Sequence, residues 1–174
     1  MRRTITVFGS SKPLPGEEEY ETAYNLGKLL GESGYSVCTG GYQGIMDAVS
    51  KGASEFNVDV IGVTVDLFSA QPSKYLTKEI KCNSIFERIE KLIELGDAYI
   101  ILRGGTGTLV ELTIAWELMN KKLIEQKPIT CHGEMWQMII QPMEERIEYE
   151  KRETGLVRCF DSIEECFNLI KSKI

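Results

Sequence analysis

Three glycines within four positions precede a glutamate in the segment 103–111, which reads RGGTGTLVE. The segment follows an apolar run at 98–102 that predicts a buried strand, and it opens a stretch of helical periodicity. Glycine permits close approach of a ligand, and a helix N-terminus attracts anions such as phosphate. The sequence therefore predicts a phosphate-binding turn formed by Gly104, Gly105, Thr106, Gly107 and Thr108.

Glu111 stands one helical turn beyond these glycines and has two interpretations. Thr108 and Glu111 match a capping box, in which the glutamate bonds back to the N–H of the cap residue. Alternatively, the carboxylate faces the bound ligand and takes part in chemistry there. A carboxylate beside a phosphate would need a nearby cation or would have to point at a sugar instead.

Arg88 is the candidate for that cation. The segment 84–95 predicts a helix whose inner stripe contains Ile89 and Leu92, and Arg88 lies at the border of this stripe. An inward-facing arginine usually has an anionic partner, which Glu111 or a ligand phosphate would supply. The other interpretation is a snorkelling side chain whose guanidinium reaches water.

Two further loops carry candidate ligand contacts. Gly9 and Ser10 follow the predicted strand 4–8, while Gly40, Gly41 and Gly44 follow the predicted strand 35–38. Thr39 occupies the first glycine position of a dinucleotide fingerprint, so NAD binding is disfavoured. The loops after parallel strands meet at one edge of a sheet, so all three glycine loops should line one crevice.

Strands alternate with helices along the whole chain, which predicts an α/β fold with a doubly wound, mostly parallel sheet covered on both faces. A long segment at 64–83 is expected to be a loop with a short strand near 79–81, and Pro142 is expected to interrupt a helix at 135–150. The predicted strands are 4–8, 35–38, 58–63, 98–102, 127–131 and 156–160, and the other predicted helices are 17–33, 45–53, 84–95, one following the 104–108 turn, and one ending at 170.

Bulk composition narrows the class of protein. A chain of 174 residues fits one domain spanning residues 1–174, and its net charge of −6 argues against non-specific nucleic-acid binding. The chain has five cysteines without a C-x-x-C pair and a single histidine, which argues against a zinc site and favours reduced thiols in the cytoplasm. No run approaches the roughly 20 apolar residues of a membrane span. His132 is expected to be a bystander and Trp116 a packing residue.

Taken together, these motifs resemble the LOG family of cytokinin riboside 5′-monophosphate phosphoribohydrolases. The family motif P-G-G-x-G-T-x-x-E matches residues 103–111, and a family arginine fifteen residues before that motif matches Arg88. The G-G-x-x-G-[LI]-M segment stands at residues 40–46. The similarity covers roughly residues 4–130.

The resemblance implies a Rossmann-like three-layer sandwich and a homodimer with the site near the subunit interface. No cofactor is expected, and no metal is required because phosphate is held and not transferred. It implies hydrolysis of a nucleoside 5′-monophosphate, AMP or N6-modified AMP, to free base and ribose 5-phosphate, with Arg88 and Glu111 as the catalytic pair. Arg103, Ile89 and Val110 depart from the family pattern. They leave open an alternative function as a non-catalytic binder of a phosphorylated nucleotide or cofactor, similar to the molybdenum cofactor carriers.

Overall fold

The computed structural model describes residues 2–67 and 70–174, which contain one parallel sheet and the helices that cover it. The described strands are β1 (Thr4–Phe8), β2 (Ser36–Thr39), β3 (Val60–Val65), β4 (Lys78–Cys82), β5 (Ala98–Ile101), β6 (Ile129–His132) and β7 (Val157–Phe160). The described helices are α1 (Glu18–Glu32), α2 (Ile45–Ala53), α3 (Ile85–Leu95), α4 (Thr106–Asn120), α5 (Glu134–Tyr149) and α6 (Ile163–Lys173).

The sheet separates two apolar cores. One core packs α1, α2 and α6 against one face of the sheet, and the other packs α3, α4 and α5 against the opposite face. The central strand β5 is apolar and buried throughout, and β1 is buried beyond its first residue, as expected for parallel strands that helices cover on both faces. The predicted α/β three-layer sandwich is confirmed, and every described strand pair is parallel.

Strand order places the glycine loops at one position in the sheet. The order is β4-β3-β2-β1-β5-β6-β7, so the chain moves outward from β1 to β4 and then returns to the other side of β1. The carboxyl ends of β1, β2 and β5 therefore surround the point where the direction of winding reverses. Ligands of doubly wound folds bind in the crevice at this point.

The predicted elements agree with the observed bounds to within two residues, except for the end of α6 and the segment after β3. Helix α6 runs to Lys173, three residues beyond its predicted end. The short strand expected near 79–81 is the five-residue edge strand β4, paired to β3. Its exposed lysines and glutamate obscure the strand pattern, although such charges are typical of a protected sheet edge. Residues 66–67 and 70–77 form no helix or strand, as expected, and residues 68 and 69 of the predicted loop lie outside the described residues.

The expected interruption at Pro142 is wrong. Helix α5 continues through Pro142 from Glu134 to Tyr149. Pro142 lies on an exposed side of the helix, and the preceding turn is exposed at Met138. Water can therefore hydrate the Met138 carbonyl that loses its helical N–H partner, which reduces the cost of an internal proline.

Candidate functional site

A cavity of about 460 Å³ opens at the carboxyl ends of β1, β2 and β5. This volume lies within the range of small-molecule sites. Its wall combines the three predicted glycine loops with side chains from α3 and α4. The lining residues are Val7, Phe8, Gly9, Ser10, Ser11, Lys12, Gly40, Tyr42, Gln43, Met46, Ala70, Arg88, Gly105, Thr106, Gly107, Thr108 and Glu111.

Arg88 enters the cavity from the first turn of α3, and its side chain is only 9% exposed. Its Nε–H donates to the Val63 carbonyl at 2.8 Å, and Nη2 donates to the Gly40 carbonyl at 3.0 Å. Nη1 lies 3.4 Å from Oε1 of Glu111. The inward orientation is thus confirmed and the snorkelling interpretation is wrong. Neutral carbonyls hold two sides of the guanidinium, and its charge is directed at Glu111.

Glu111 faces Arg88 and does not cap a helix. Helix α4 begins at Thr106 with Gly105 as its N-cap residue, and no described side chain caps it. The capping-box interpretation is therefore wrong, because Thr108 already lies inside the first turn. The Glu111 side chain is 13% exposed. Burial raises the pKa of Glu111 from 4.5 to about 7, although the positive charge of Arg88 acts to lower it.

Gly105 and Gly107 have no packing reason to be glycine. A Cβ atom at either position would meet no described atom within 4 Å, and neither has a positive φ. Both line the cavity at the N-terminus of α4, where the first backbone N–H groups lack helical partners. An anion of phosphate size can approach this backbone closely because both side chains are absent.

Three of the predicted glycines lie behind the cavity wall instead. A Cβ on Gly44 would lie 2.4 Å from the Ser10 carbonyl oxygen, and one on Gly104 would lie 2.2 Å from Oγ1 of Thr108. Gly41 has a φ of +77° and packs on Gly62 and Thr64. These glycines shape the turns, whereas Gly9, Ser10, Gly40 and the 105–108 segment reach the cavity surface.

Sequence reasoning missed eight lining residues, namely Val7, Phe8, Ser11, Lys12, Tyr42, Gln43, Met46 and Ala70. The Tyr42 ring centroid lies 5.8 Å from Cζ of Arg88, and Met46 Sδ lies 4.0 Å from its Nη2. Tyr42 and Gln43 occupy the variable positions of the 40–44 glycine turn. A large aromatic residue between glycines was the available signal, but only the fold shows that it packs on Arg88.

The residues that depart from the family pattern lie outside the cavity wall. Arg103 is 59% exposed and its Nη1 lies 3.3 Å from Oε1 of Glu19, so it faces away from the cavity. Ile89 is buried in the core beneath α3, and Val110 points outward from α4. His132 bonds through Nε2 to the Asp161 carbonyl, and Trp116 is buried in the core.

Other chemistry receives no support from the described residues. All five cysteines lie within the described ranges as free thiols. Within those ranges, no cluster of three or more histidine, cysteine or acidic side chains could hold a metal ion. None of the described helices has the length and apolar character needed to cross a bilayer.

The chain matches a model described as the SLOG cluster4 family over residues 2–160. It is 30% identical over 131 residues to the cytokinin riboside 5′-monophosphate phosphoribohydrolase of Rhodococcoides fascians, covering 70% of this chain and 66% of that protein. It is 33% identical over 105 residues to the pyrimidine/purine nucleotide 5′-monophosphate nucleosidase of Escherichia coli K12, covering 55% of this chain. The chain thus spans just under two thirds of the first relative and 23% of the second.

A solved structure of similar fold is the molybdenum cofactor binding protein from Rippkaea orientalis. The two share a TM-score of 0.78 and 24% identity, with 99% of this chain and 97% of that chain covered. At this identity the likeness establishes the fold alone. It shows that the whole chain, and not only the part that carries the motifs, adopts a known arrangement.

Gly107→Ala tests the anion site at the N-terminus of α4. Alanine fits the helix without steric conflict and has the better helix propensity, so stability should not fall. Its methyl group would cover the free N–H groups, and we expect binding of AMP to weaken about tenfold or more, or about 1.4 kcal/mol. Calorimetric titration and thermal unfolding measure the two effects.

Thr113→Ala is the matched control because Thr113 is exposed on the same helix and lies outside the cavity wall. It should leave AMP affinity unchanged. Equal affinity in wild type and Gly107→Ala would contradict an anion site at this turn.

Glu111→Gln tests the buried carboxyl through stability alone. With a pKa near 7 when folded and 4.5 when unfolded, the folded state retains a proton that the unfolded state releases. The unfolding free energy of the wild type should therefore fall as pH rises through this window, by up to about 3 kcal/mol. Glutamine removes that loss, so the stability of the variant relative to wild type should increase from pH 5 to pH 8.

Denaturant unfolding at pH 5, 6, 7 and 8 measures this difference. Glu148→Gln, which makes the same change at an exposed position on α5, is the matched control for the substitution itself. A stability difference between wild type and Glu111→Gln that stays constant with pH would show that Glu111 has an ordinary pKa.

Proposed function

The chain belongs to the SLOG cluster4 family, and on that premise we propose that it hydrolyses the N-glycosidic bond of a nucleoside 5′-monophosphate. The products are the free base and ribose 5-phosphate. The observation that carries the proposal is the buried Arg88–Glu111 pair, which lies in the same cavity as an open glycine turn at a helix N-terminus. One cavity thus offers an anion site and a carboxyl group whose pKa lies near neutrality.

The glycine turn holds the 5′-phosphate in this proposal. The first residues of α4 line the same cavity as Gly9 and Ser10, and the N–H groups of a first helical turn have no partners within the helix. Fixing the phosphate orients the attached ribose, so that its C1′ can lie near Glu111. Phosphate is held and not transferred, so the proposed chemistry needs no metal ion at this position.

Glu111 supplies the charge that the reaction requires. Cleavage of a glycosidic bond passes through a ribosyl cation of oxocarbenium character. The ionised carboxylate stabilises that cation or accepts a proton from the attacking water. The C1′–N bond breaks with its electron pair leaving on the base, a C1′–O bond forms to water, and the released proton goes to the base. Arg88 keeps a fraction of Glu111 ionised despite its burial.

The names of the relatives favour this substrate class. The Rhodococcoides relative is named for a cytokinin riboside 5′-monophosphate, and the Escherichia relative for pyrimidine and purine nucleotide 5′-monophosphates. Both names describe cleavage of nucleoside monophosphates, and AMP or N6-modified AMP is the substrate we expect here. A non-catalytic carrier of a phosphorylated cofactor would use the same glycine turn, but it would have no need of a paired Arg88 and Glu111.

The catalytic test is release of base from a panel of nucleoside 5′-monophosphates that includes AMP and N6-modified AMP. We expect chromatography to show free base with wild-type protein. Glu111→Gln should lower turnover about 100-fold or more, because it removes the charge and the proton acceptor. Its nucleotide affinity should remain close to that of wild type, since the glycine turn is intact.

Two results would redirect the assignment. Tight nucleotide binding without base release in wild type would favour the carrier function. Loss of binding and of turnover together in a folded Glu111→Gln variant would show that Glu111 holds the ligand and does not act on it. Glu148→Gln, at an exposed position of α5 outside the cavity wall, provides the matched control.

We also propose that the chain forms a homodimer through the outer faces of α3 and α4. Phe86 on α3 is 81% exposed and stands two residues before Arg88, and Val110 on α4 is 44% exposed and directly precedes Glu111. Helix α4 carries apolar residues on all sides, which is typical of a helix with partners on all sides. A second copy of the chain would cover this apolar surface next to the cavity.

Phe86→Glu tests this interface. A charge in the centre of an apolar contact is costly to bury, so the variant should sediment as a monomer where the wild type sediments as a dimer. Met143→Glu, an exposed apolar position on α5, is the control and should retain the dimer. A wild type that is monomeric at micromolar concentration would contradict the proposal.

A further inference from the structure

Tyr42 is buried in the cavity wall between β2 and α2. Its ring lies against the guanidinium of Arg88, with 5.8 Å between the ring centroid and Cζ. An arginine beside an aromatic face is attracted by the negative face of the ring, most strongly where water is excluded. The ring therefore adds a contact that restricts the position of the guanidinium, beside the two carbonyls that accept its hydrogen bonds.

The hydroxyl of Tyr42 anchors the ring to the end of β3. It donates to the Val65 carbonyl at 2.6 Å and accepts from the Val65 N–H at 2.8 Å. Two bonds to the backbone of one residue fix the ring more firmly than a single bond would. Arg88 also bonds to this strand, through the Val63 carbonyl. The carboxyl end of β3 thus positions both the arginine and the ring against it.

Among these contacts of Arg88, Glu111 is the one that carries an opposite charge. Val63, Gly40 and Tyr42 are neutral partners, and Nη1 is directed at Glu111 over 3.4 Å. We propose that Tyr42 is a positioning residue that holds the Arg88 guanidinium within reach of Glu111 and so tunes that carboxyl as an acid or base. The catalytic consequence rests on the proposed function, whereas the positioning itself does not.

The electrostatic surroundings of Glu111 make this testable. The charged or titratable groups among the described lining residues are Arg88 from α3, Lys12 from the loop after β1, and Tyr42 from the turn after β2. Burial raises the pKa of Glu111 and Arg88 acts against that rise. If the guanidinium moves away, the opposing effect weakens and the carboxyl should hold its proton to higher pH.

Tyr42→Leu removes both the ring and its anchor, while Tyr42→Phe removes only the anchor. We expect the Glu111 carboxyl in ligand-free Tyr42→Leu to titrate about half a pH unit or more above wild type, as loss of a desolvated cation–ring contact implies. Tyr42→Phe should show a smaller rise. Carbon-13 NMR of the glutamate carboxyls measures both shifts, and the resonance missing in Glu111→Gln identifies the signal.

Tyr149→Leu is the matched control. It removes an exposed tyrosine whose ring lies 4.9 Å from Cζ of Arg146, far from the cavity. This variant should leave the Glu111 titration unchanged. An unchanged titration in folded Tyr42→Leu would overturn the positioning role. If Tyr42→Leu does not fold, an unchanged titration in Tyr42→Phe would overturn it equally.

The pH profile of base release separates this inference from the proposed function. In one outcome the wild type releases base, with an activity that falls along a low-pH limb. If this limb moves to higher pH in Tyr42→Leu by the same amount as the carboxyl titration, the result supports both the proposed function and the role of Tyr42. Active enzyme with an unmoved limb and an unmoved carboxyl removes the role of Tyr42 alone. A shifted carboxyl in a protein that releases no base keeps Tyr42 as the positioning residue and removes only the hydrolase.

Discussion

The guanidinium of Arg88 is always charged and lies almost entirely out of water, and this charge constrains much of the surrounding fold. A buried charge is tolerated only when hydrogen bonds and an opposite charge compensate its desolvation. Here the compensation comes from Gly40 after β2, Val63 in β3 and Glu111 on α4. Gly40 follows β2 and Val63 lies in β3, on one side of β1, and Glu111 follows β5 on its other side. The reversal of winding at β1 brings these groups to one crevice.

The same constraint explains why glycine recurs around the cavity for different reasons. A Cβ on Gly40 would lie 1.8 Å from Nη2 of Arg88, so glycine is required there by the arginine itself. Gly44 is required by the close approach of the Ser10 backbone. Gly105 and Gly107 have free space around them, and the absence of their side chains leaves backbone N–H groups open to a ligand. Residue type alone does not distinguish these roles.

Much of the fold and part of the site followed from sequence because their signals are local. Hydrophobic periodicity located the elements, and the position of Arg88 at the edge of an apolar stripe predicted its inward orientation. The capping box failed because α4 starts at Thr106, which places Thr108 and Glu111 inside the helix. The packing of Tyr42 was missed because its partners, Val65 and Arg88, are distant in the sequence. Only the folded sheet and the position of α3 bring them next to Tyr42. The length of strand β4 was underestimated because its sequence does not alternate throughout between apolar and polar residues. Its charged residues reflect its position at the edge of the sheet.

A carboxyl group with a pKa of about 7 is close to half ionised in neutral solution, where its titration curve is steepest. A change of pH in the neutral range therefore changes its ionised fraction. Ordinary glutamates are fully ionised in this range and do not respond to such a change. The cavity therefore couples its own charge to the acidity of its surroundings, and a bound phosphate that adds negative charge would strengthen the tendency of Glu111 to take up a proton.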